Sequence, residues 1–162
     1  MTQGSSSLTV TTPSDEEVRM TRTFAASRNL VYDAWTKPDL LRRWLGREGD
    51  EMIVCDVDLR VGGSYRFVWR LRESGDEMGM GGVYREIVPN ERIVCTEKFD
   101  APYDDVMGEA VTTLTLEERD GKTTLTSTTR YPSRETRDSA MATGMADGAG
   151  ESYDRLAALL AA

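Results

Sequence analysis

Three aromatic residues alternate along one short segment of the sequence, where Tyr65, Phe67 and Trp69 are separated by Arg66 and Val68. If this segment is a β-strand, alternate side chains point to the same face, so the three rings form a row. Tyrosine and tryptophan each combine an apolar ring with a polar group that needs a hydrogen-bond partner when it is buried. The row therefore predicts the wall of a cavity for a small, mainly apolar molecule, and the alternative is ordinary core packing.

Glu97 is the carboxylate that could take part in chemistry inside such a cavity. It has the same parity as Cys95 and Phe99 in the run "RIVCTEKF", which would turn it inward in a strand. Because Val94 is also apolar, an exposed Glu97 is an equal alternative. A buried carboxylate would have a raised pKa and could act as an acid or anchor a ligand, and Tyr84 is the second candidate for an acid.

The sequence contains no histidine, which excludes Ser-His-Asp and Cys-His catalytic arrangements and imidazole ligands for metals. Cys55 and Cys95 do not have the spacing of a zinc motif. The aspartates of the segment 100–105 do not have the spacing of an EF-hand loop. We therefore expect no metal, no cofactor and no catalytic residue set, which favours binding over catalysis.

Length and charge limit the possible partners. With 162 residues and a net charge of −8, the chain suits a single acidic domain. Phosphate backbones and anionic lipids attract basic surfaces, so neither nucleic acid nor a membrane is an expected partner. Residues 1–16 are polar, so we expect them to form a flexible leader. They have neither the basic start nor the apolar stretch of a secretion signal, so we expect a cytoplasmic location. Cysteines stay reduced in the cytoplasm, and we therefore expect free thiols. The sequence is compatible with a monomer or a homodimer.

Local sequence patterns predict the elements that must hold these residues in place. Alternation and helical spacing indicate, in order, a strand, two short helices, six strands and a long terminal helix. Their ranges are 17–24, 27–35, 38–46, 51–59, 64–70, 81–88, 92–99, 109–118, 123–131 and 133–162. Consecutive hairpins form an antiparallel meander, and only the last helix is long enough to cover its concave face. The predicted fold class is α+β, with residues 17–162 as one domain.

The strand at 51–59 has a clear predicted orientation. Its apolar residues Ile53, Cys55, Val57 and Leu59 share one parity, so we expect them on the inner face and Asp56 in solvent.

The terminal helix adds three residues to the predicted cavity wall, namely Met141, Met145 and Gly148. Methionine adapts to irregular ligands, and glycine leaves space beside a helix. Gly144 lies within the same predicted helix, where a glycine costs about 1 kcal/mol relative to alanine. Trp44 lies on the apolar stripe of the second short helix, so we expect it in the core, where it could close one end of the cavity.

Three segments together resemble a known family: "VYDAWTKPDLLRRWLG", "VDLRVGGSYRF" and "GGVYREIVPNERIV". They are similar to the activator of heat shock protein 90 ATPase homologue family, within the START-like (SRPBCC) helix-grip superfamily, and the resemblance runs from Val18 to Leu160. It implies a curved antiparallel sheet around a long C-terminal helix with a cavity between them. The family has no common catalytic residue set to carry over. Ala149 and Glu97 stand where members often have tryptophan, which implies a larger or more polar pocket.

Three functions follow from these observations. The first is a small-molecule binder that holds a mainly apolar or amphipathic ligand between the sheet and the C-terminal helix. The second, implied by the family resemblance, is a protein-interaction module of the co-chaperone kind with a role in stress response. The third is a cyclase- or hydrolase-like enzyme that uses a pocket carboxylate. The predicted ligand-binding residues are Trp44, Tyr65, Phe67, Trp69, Tyr84, Glu97, Met141, Met145 and Gly148.

Overall fold

A computed structural model describes residues 8–161 of the chain, which form eight strands and five helices. The strands are β1 (Thr9–Thr11), β2 (Glu17–Phe24), β3 (Glu51–Val57), β4 (Ser64–Arg70), β5 (Glu77–Val88), β6 (Arg92–Phe99), β7 (Glu109–Arg119) and β8 (Lys122–Arg130). The helices are α1 (Arg28–Thr36), α2 (Pro38–Trp44), α3 (Asp104–Met107), α4 (Arg134–Ala142) and α5 (Met145–Ala161).

All strands belong to one antiparallel sheet with the order β1-β2-β8-β7-β6-β5-β4-β3. Apart from the pairing of β2 with β8, neighbours in the sheet are neighbours in the sequence, as expected for a series of hairpins. Helix α5 packs against α1 and α2 on the concave side of the sheet. The predicted α+β helix-grip architecture is therefore confirmed.

The N-terminal segment differs from its prediction. Thr9–Thr11 pairs with Arg19–Thr21 of β2 and forms one edge of the sheet, whereas a flexible leader was expected over residues 1–16. The β-branched residues of this segment favour a pleated strand, and β2 offers it an unpaired edge. Residues 1–7 lie outside the described residues. A short helix, α3, also occupies part of the predicted loop 100–108.

The predicted continuous terminal helix is two helices, because Gly144 has a φ of +83°. Residues other than glycine rarely adopt this left-handed conformation, so a glycine here ends α4 and allows α5 to begin in a new direction. The hydroxyl of Thr143 donates a hydrogen bond to the carbonyl of Ala140 at 2.6 Å and satisfies one acceptor at the end of α4. Gly144, which was expected inside one continuous helix, instead redirects the chain.

A β-bulge in β3 changes the predicted inner face of that strand. Met52 pairs with Trp69 and Cys55 pairs with Phe67, so Ile53 is the extra residue. Met52 and Cys55 are buried, and the predicted inward position of Ile53 is wrong because the bulge reverses the parity before Cys55. The predicted inward position of Leu59 is also wrong, since it is exposed beyond the end of the strand. Asp56 is exposed, as predicted.

The core is divided into two apolar clusters. The larger one, which we call the ring cluster, lies under α1, α2 and α5, and it contains Phe24, Trp44, Tyr65, Phe67, Trp69, Tyr84 and Tyr153. The smaller one, which we call the methionine cluster, contains Val18, Met20, Met107, Ala110, Tyr131 and Ala140, with Met141 and Met145 packed against it. The two cysteines are free thiols, as predicted.

Candidate functional site

The aromatic row of β4 points inward, as predicted. Tyr65, Phe67 and Trp69 are 6%, 8% and 5% exposed. Adjacent ring centroids are 5.2 Å apart between Tyr65 and Phe67 and 6.0 Å apart between Phe67 and Trp69. Their polar groups are bonded within the protein, since the Tyr65 hydroxyl donates to the Thr96 carbonyl at 2.7 Å and Trp69 Nε1 donates to the Leu45 carbonyl at 3.1 Å. The side-chain polar groups of the row therefore all have hydrogen-bond partners within the protein, and the three rings pack as part of the ring cluster.

A cleft of about 970 Å³ opens at one end of this row. It lies between the ends of β4, β5 and β6, the α2–β3 loop, the β4–β5 loop and the first half of α5. The apolar side chains in its wall are Leu45, Trp69, Leu71, Met78, Met80, Phe99, Met107 and Met145. The charged side chains at its rim are Arg47, Glu48, Asp50, Arg72, Glu73 and Glu151. The floor is thus mainly apolar and rich in methionine, and the rim has an excess of negative charge.

Three of the predicted ligand-binding residues line this cleft: Trp69, Met145 and Gly148. Gly148 lies against an arginine side chain of the rim, since a Cβ atom there would be 3.2 Å from Arg47 Nε. Glycine at this position lets the Arg47 side chain cross the first turns of α5.

The other predicted residues lie away from the cleft wall. Tyr65, Phe67 and Tyr84 are packed in the ring cluster, where the centroids of Tyr65 and Tyr84 are 5.4 Å apart. Trp44 is completely buried, and its Nε1 donates to the Ala34 carbonyl at 2.9 Å. Met141 is half-buried against the methionine cluster.

Glu97 lies on the concave side of the sheet, which resolves the two orientations that the sequence allowed. Its Oε2 atom accepts a hydrogen bond from the Thr112 hydroxyl at 3.0 Å. Burial raises the pKa of Glu97, and the hydrogen bond from Thr112 opposes this shift. The side chain nevertheless keeps part of its surface accessible to water.

Glu97 has several titratable neighbours, whose pKa values its negative charge raises. Burial is the largest cause of the raised pKa values of Tyr65, Tyr131 and Tyr153, and the negative charge of Glu97 raises them further. Burial also raises the pKa of the Cys95 thiol to about 12, again with a contribution from Glu97. These residues belong to β4, to the segment after β8, to α5 and to β6. Glu97 therefore lies between the sheet and α5.

Two residues that sequence reasoning missed hold the mouth of the cleft together. Gly46 has a φ of +112°, and a Cβ atom there would lie 2.5 Å from Trp69 Nε1. The Ser152 hydroxyl donates to the Gly46 carbonyl at 2.8 Å and accepts from the Gly46 amide at 3.0 Å. Ser152 lies four residues after Gly148 and four before Leu156, and this helical spacing was the signal that it faces inward.

The rim contains two arginines without an ion pair. Within residues 8–161, no carboxylate forms a salt bridge with Arg47 or Arg72. The backbone amide of Arg72 donates to Asp50 Oδ1 at 2.9 Å and links the β4–β5 loop to the α2–β3 loop.

No group of three or more potential metal ligands comes together within residues 8–161. None of the helices in this part of the chain is long and apolar enough to cross a membrane.

Comparison with known proteins agrees with the fold. The family described as "Activator of Hsp90 ATPase homolog 1-like protein" matches residues 25–161. A crystal structure from Rhodobacter sphaeroides is similar, with a TM-score of 0.89 and 30% identity over 96% of this chain and 99% of that chain. Protein CV1439 from Chromobacterium violaceum has a TM-score of 0.76 and 31% identity over 91% of this chain and 98% of that chain.

A further structure shares the fold at lower identity. The AHSA1 protein SPO3351 from Silicibacter pomeroyi has a TM-score of 0.73 and 23% identity over 90% of this chain and 97% of that chain. No curated protein matches the sequence significantly. The family match extends over most of the chain, and the resemblance found in the sequence is confirmed. This chain belongs to the Activator of Hsp90 ATPase homolog 1-like family.

Proposed function

We propose that this protein binds a small, mainly apolar or amphipathic molecule in the cleft between the sheet and α5. The observation that carries this proposal is the cleft itself, an opening of about 970 Å³ with a floor of Trp69, Phe99 and methionines. Ligand pockets have volumes of about 300–1,000 Å³ and mostly apolar walls with a few polar groups. Methionine side chains adapt to ligands of irregular shape, which a floor of branched aliphatic residues would not do as well.

The predicted ligand-binding residues have different roles in this proposal. Trp69, Met145 and Gly148 contact the ligand directly. Tyr65, Phe67 and Tyr84 fix the position of the Trp69 ring from behind, and Trp44 fixes the α2 end of the wall. Met141 packs against the methionine cluster, as Met145 also does. The cytoplasmic location expected from the sequence stays a prediction.

A cavity-filling variant tests this function. Met78→Trp, on the cleft side of β5, should weaken binding of the neutral apolar dye Nile red by about tenfold, since the larger ring occupies the space. The matched control is Val83→Trp on the same strand, where the side chain is 42% exposed and outside the cleft wall. It should leave the affinity unchanged. The absence of saturable dye binding by the wild type, or equal weakening by both variants, would contradict the proposal.

The protein-interaction function implied by the family gives a different result with the same variants. A partner that binds the outer surface should be retained by Met78→Trp, because the surface is unchanged when the cleft is filled. Retention of a captured partner together with loss of Nile red binding would separate the two functions.

A further inference from the structure

Glu97 lies at the boundary between the two apolar clusters, where the sheet has little side-chain bulk. Across the sheet, Tyr65 pairs with Gly82, and Glu97 pairs with Ala110. The pairing of Gly81 with Lys98 on β5 and β6 places Gly82 opposite Glu97. The carboxylate therefore has a glycine on one side and an alanine on the other. A Cβ atom at Gly82 would collide with the Thr96 carbonyl oxygen, so β5 and β6 approach each other closely here, and neither cross-strand neighbour covers the Glu97 side chain with more than a methyl group.

The groups around Glu97 do not supply a positive charge. Tyr65, Cys95, Tyr131 and Tyr153 are all acids that are neutral near pH 7, and each of their pKa values is raised. Within residues 8–161, no lysine or arginine forms a salt bridge with Glu97. A carboxylate in an apolar interior is strongly disfavoured unless a cation or several hydrogen bonds compensate for its lost hydration.

The neighbouring hydroxyl groups already have other partners. The Tyr65 hydroxyl donates to the Thr96 carbonyl, and the Tyr131 hydroxyl donates to Met145 Sδ at 3.4 Å. Thr112 donates to Oε2, and no described residue is hydrogen-bonded to Oε1. The second oxygen of Glu97 is therefore available to an external donor.

The position of Glu97 connects it with the cleft. Phe99 lies two residues further along β6 on the same face and belongs to the cleft wall. Phe67, Met80 and Phe99 form one cross-strand row, and the next row inward is Tyr65, Gly82 and Glu97. Glu97 itself does not line the cleft, but Met145 lines it and contacts the Tyr131 hydroxyl. The charge of Glu97 contributes to the raised pKa of Tyr131, so Tyr131 lies near both side chains, and the Met145 thioether is flexible.

We propose that the ligand is an organic amine with an apolar body, which lies in the cleft and donates hydrogen bonds from its protonated nitrogen to Oε1 of Glu97. This inference depends on the proposed binding function. An ammonium group is the partner that offsets the burial of a lone carboxylate. The rim favours the same charge, because its four carboxylates outnumber its two arginines. The ring of Trp69 provides a further surface that attracts organic cations.

Three ligands with the same decyl chain test the inference on the full-length protein by isothermal titration calorimetry: decylamine, decanol and decanoate. Near pH 7 we expect decylamine to bind about tenfold more tightly than decanol, which corresponds to about 1.4 kcal/mol. Glu97→Gln should abolish this preference. The matched control is Glu109→Gln, which removes an exposed carboxylate of β7 outside the cleft wall and should retain the preference. Glu97→Met serves the same purpose if the glutamine variant does not fold.

The outcomes distinguish this inference from the proposed function. Equal binding of decylamine and decanol by the wild type would overturn the amine inference and leave the binding function in place. Tighter binding of decanoate would also overturn it and would assign the ligand head group to Arg47 and Arg72. An amine preference that survives Glu97→Gln, or that disappears with Glu109→Gln, would overturn it too. Failure of all three ligands to bind would count against the binding function itself.

Discussion

The two apolar clusters hold the sheet and the helices together in different ways. In the ring cluster, Trp35 and Trp44 pack edge to face at 4.7 Å, and Phe24 packs similarly against Tyr153 at 6.3 Å. In the methionine cluster, thioethers and small side chains surround the ring of Tyr131. Aromatic pairs have preferred geometries and resist rearrangement, whereas methionine has three rotatable bonds and adapts. The ring cluster therefore resists rearrangement more strongly than the methionine cluster, whose Met107 and Met145 also line the cleft.

Removal of the central tryptophan should give the largest effect on stability. We expect Trp44→Ala to lower the free energy of unfolding by about 3–5 kcal/mol, because it removes a completely buried ring and leaves a cavity. Met145→Ala, at a half-buried position in the more adaptable region, should cost much less. Urea denaturation followed by circular dichroism measures both. Equal losses would show that the two clusters are equally rigid.

The glycine at the mouth of the cleft should be next in effect. Gly46→Ala should cost about 2–3 kcal/mol, since an alanine pays for the positive φ and its Cβ would collide with the buried Trp69 indole. The change in unfolding free energy and the tryptophan fluorescence report this. Gly150→Ala is the matched control, because a Cβ atom at this helical position meets no other atom within 4 Å. It should stabilise the protein by about 0.5–1 kcal/mol. A stable Gly46→Ala protein with an unchanged spectrum would contradict this view of the mouth.

The charge of Glu97 should make the boundary between the clusters sensitive to pH. Its pKa is raised in the folded protein, so the folded state binds the proton more strongly than the unfolded state. The wild type should therefore lose stability as the pH rises from about 4.3, the unfolded value, through the folded pKa. Glu97→Gln should lack this loss and gain stability relative to the wild type between pH 4 and pH 7. The neighbouring titratable groups, Tyr65, Cys95, Tyr131 and Tyr153, ionise at higher pH. A difference that does not vary with pH would contradict a buried carboxylate.

The smallest effect concerns thiol reactivity. The raised pKa of Cys95 leaves little thiolate near pH 8, so we expect native Cys95 to react with iodoacetamide much more slowly than it does in urea. Mass spectrometry of the labelled peptides measures the two rates. Rapid labelling of the native protein would show that the interior near Glu97 opens readily.

Some of this structure could be predicted from the sequence because it depends on local periodicity. The alternation around Phe67 determined which rings point inward, and the Asp120–Gly121 pair is typical of the tight hairpin that connects β7 and β8. The bulge at Ile53 could not be predicted, because it is defined by pairing with a second strand. The break at Gly144 was also hidden, since the apolar spacing from Met141 to Met145 continues across it.

The cleft itself was beyond sequence reasoning for a further reason. Its wall combines the ends of three strands with two loops and part of a helix, and these meet only in the folded chain. The sequence placed the cavity along the whole aromatic row, but Tyr65 and Phe67 are packed in the ring cluster, and of the row Trp69 lines the cleft. The orientation of Glu97 was equally ambiguous because apolar residues precede it at both parities.

The bonds at Gly46 have a mechanical consequence. Its carbonyl accepts hydrogen bonds from Ser152 and from Arg155, two residues on successive turns of α5. The loop that carries Arg47 and Asp50 is thereby fastened to the helix, and Asp50 passes the connection on to the β4–β5 loop. A shift of α5 would therefore displace both loops at the mouth of the cleft together. Substitutions on the buried side of α5 would consequently change the width of the entrance, although the substituted residues do not contact the molecules that enter.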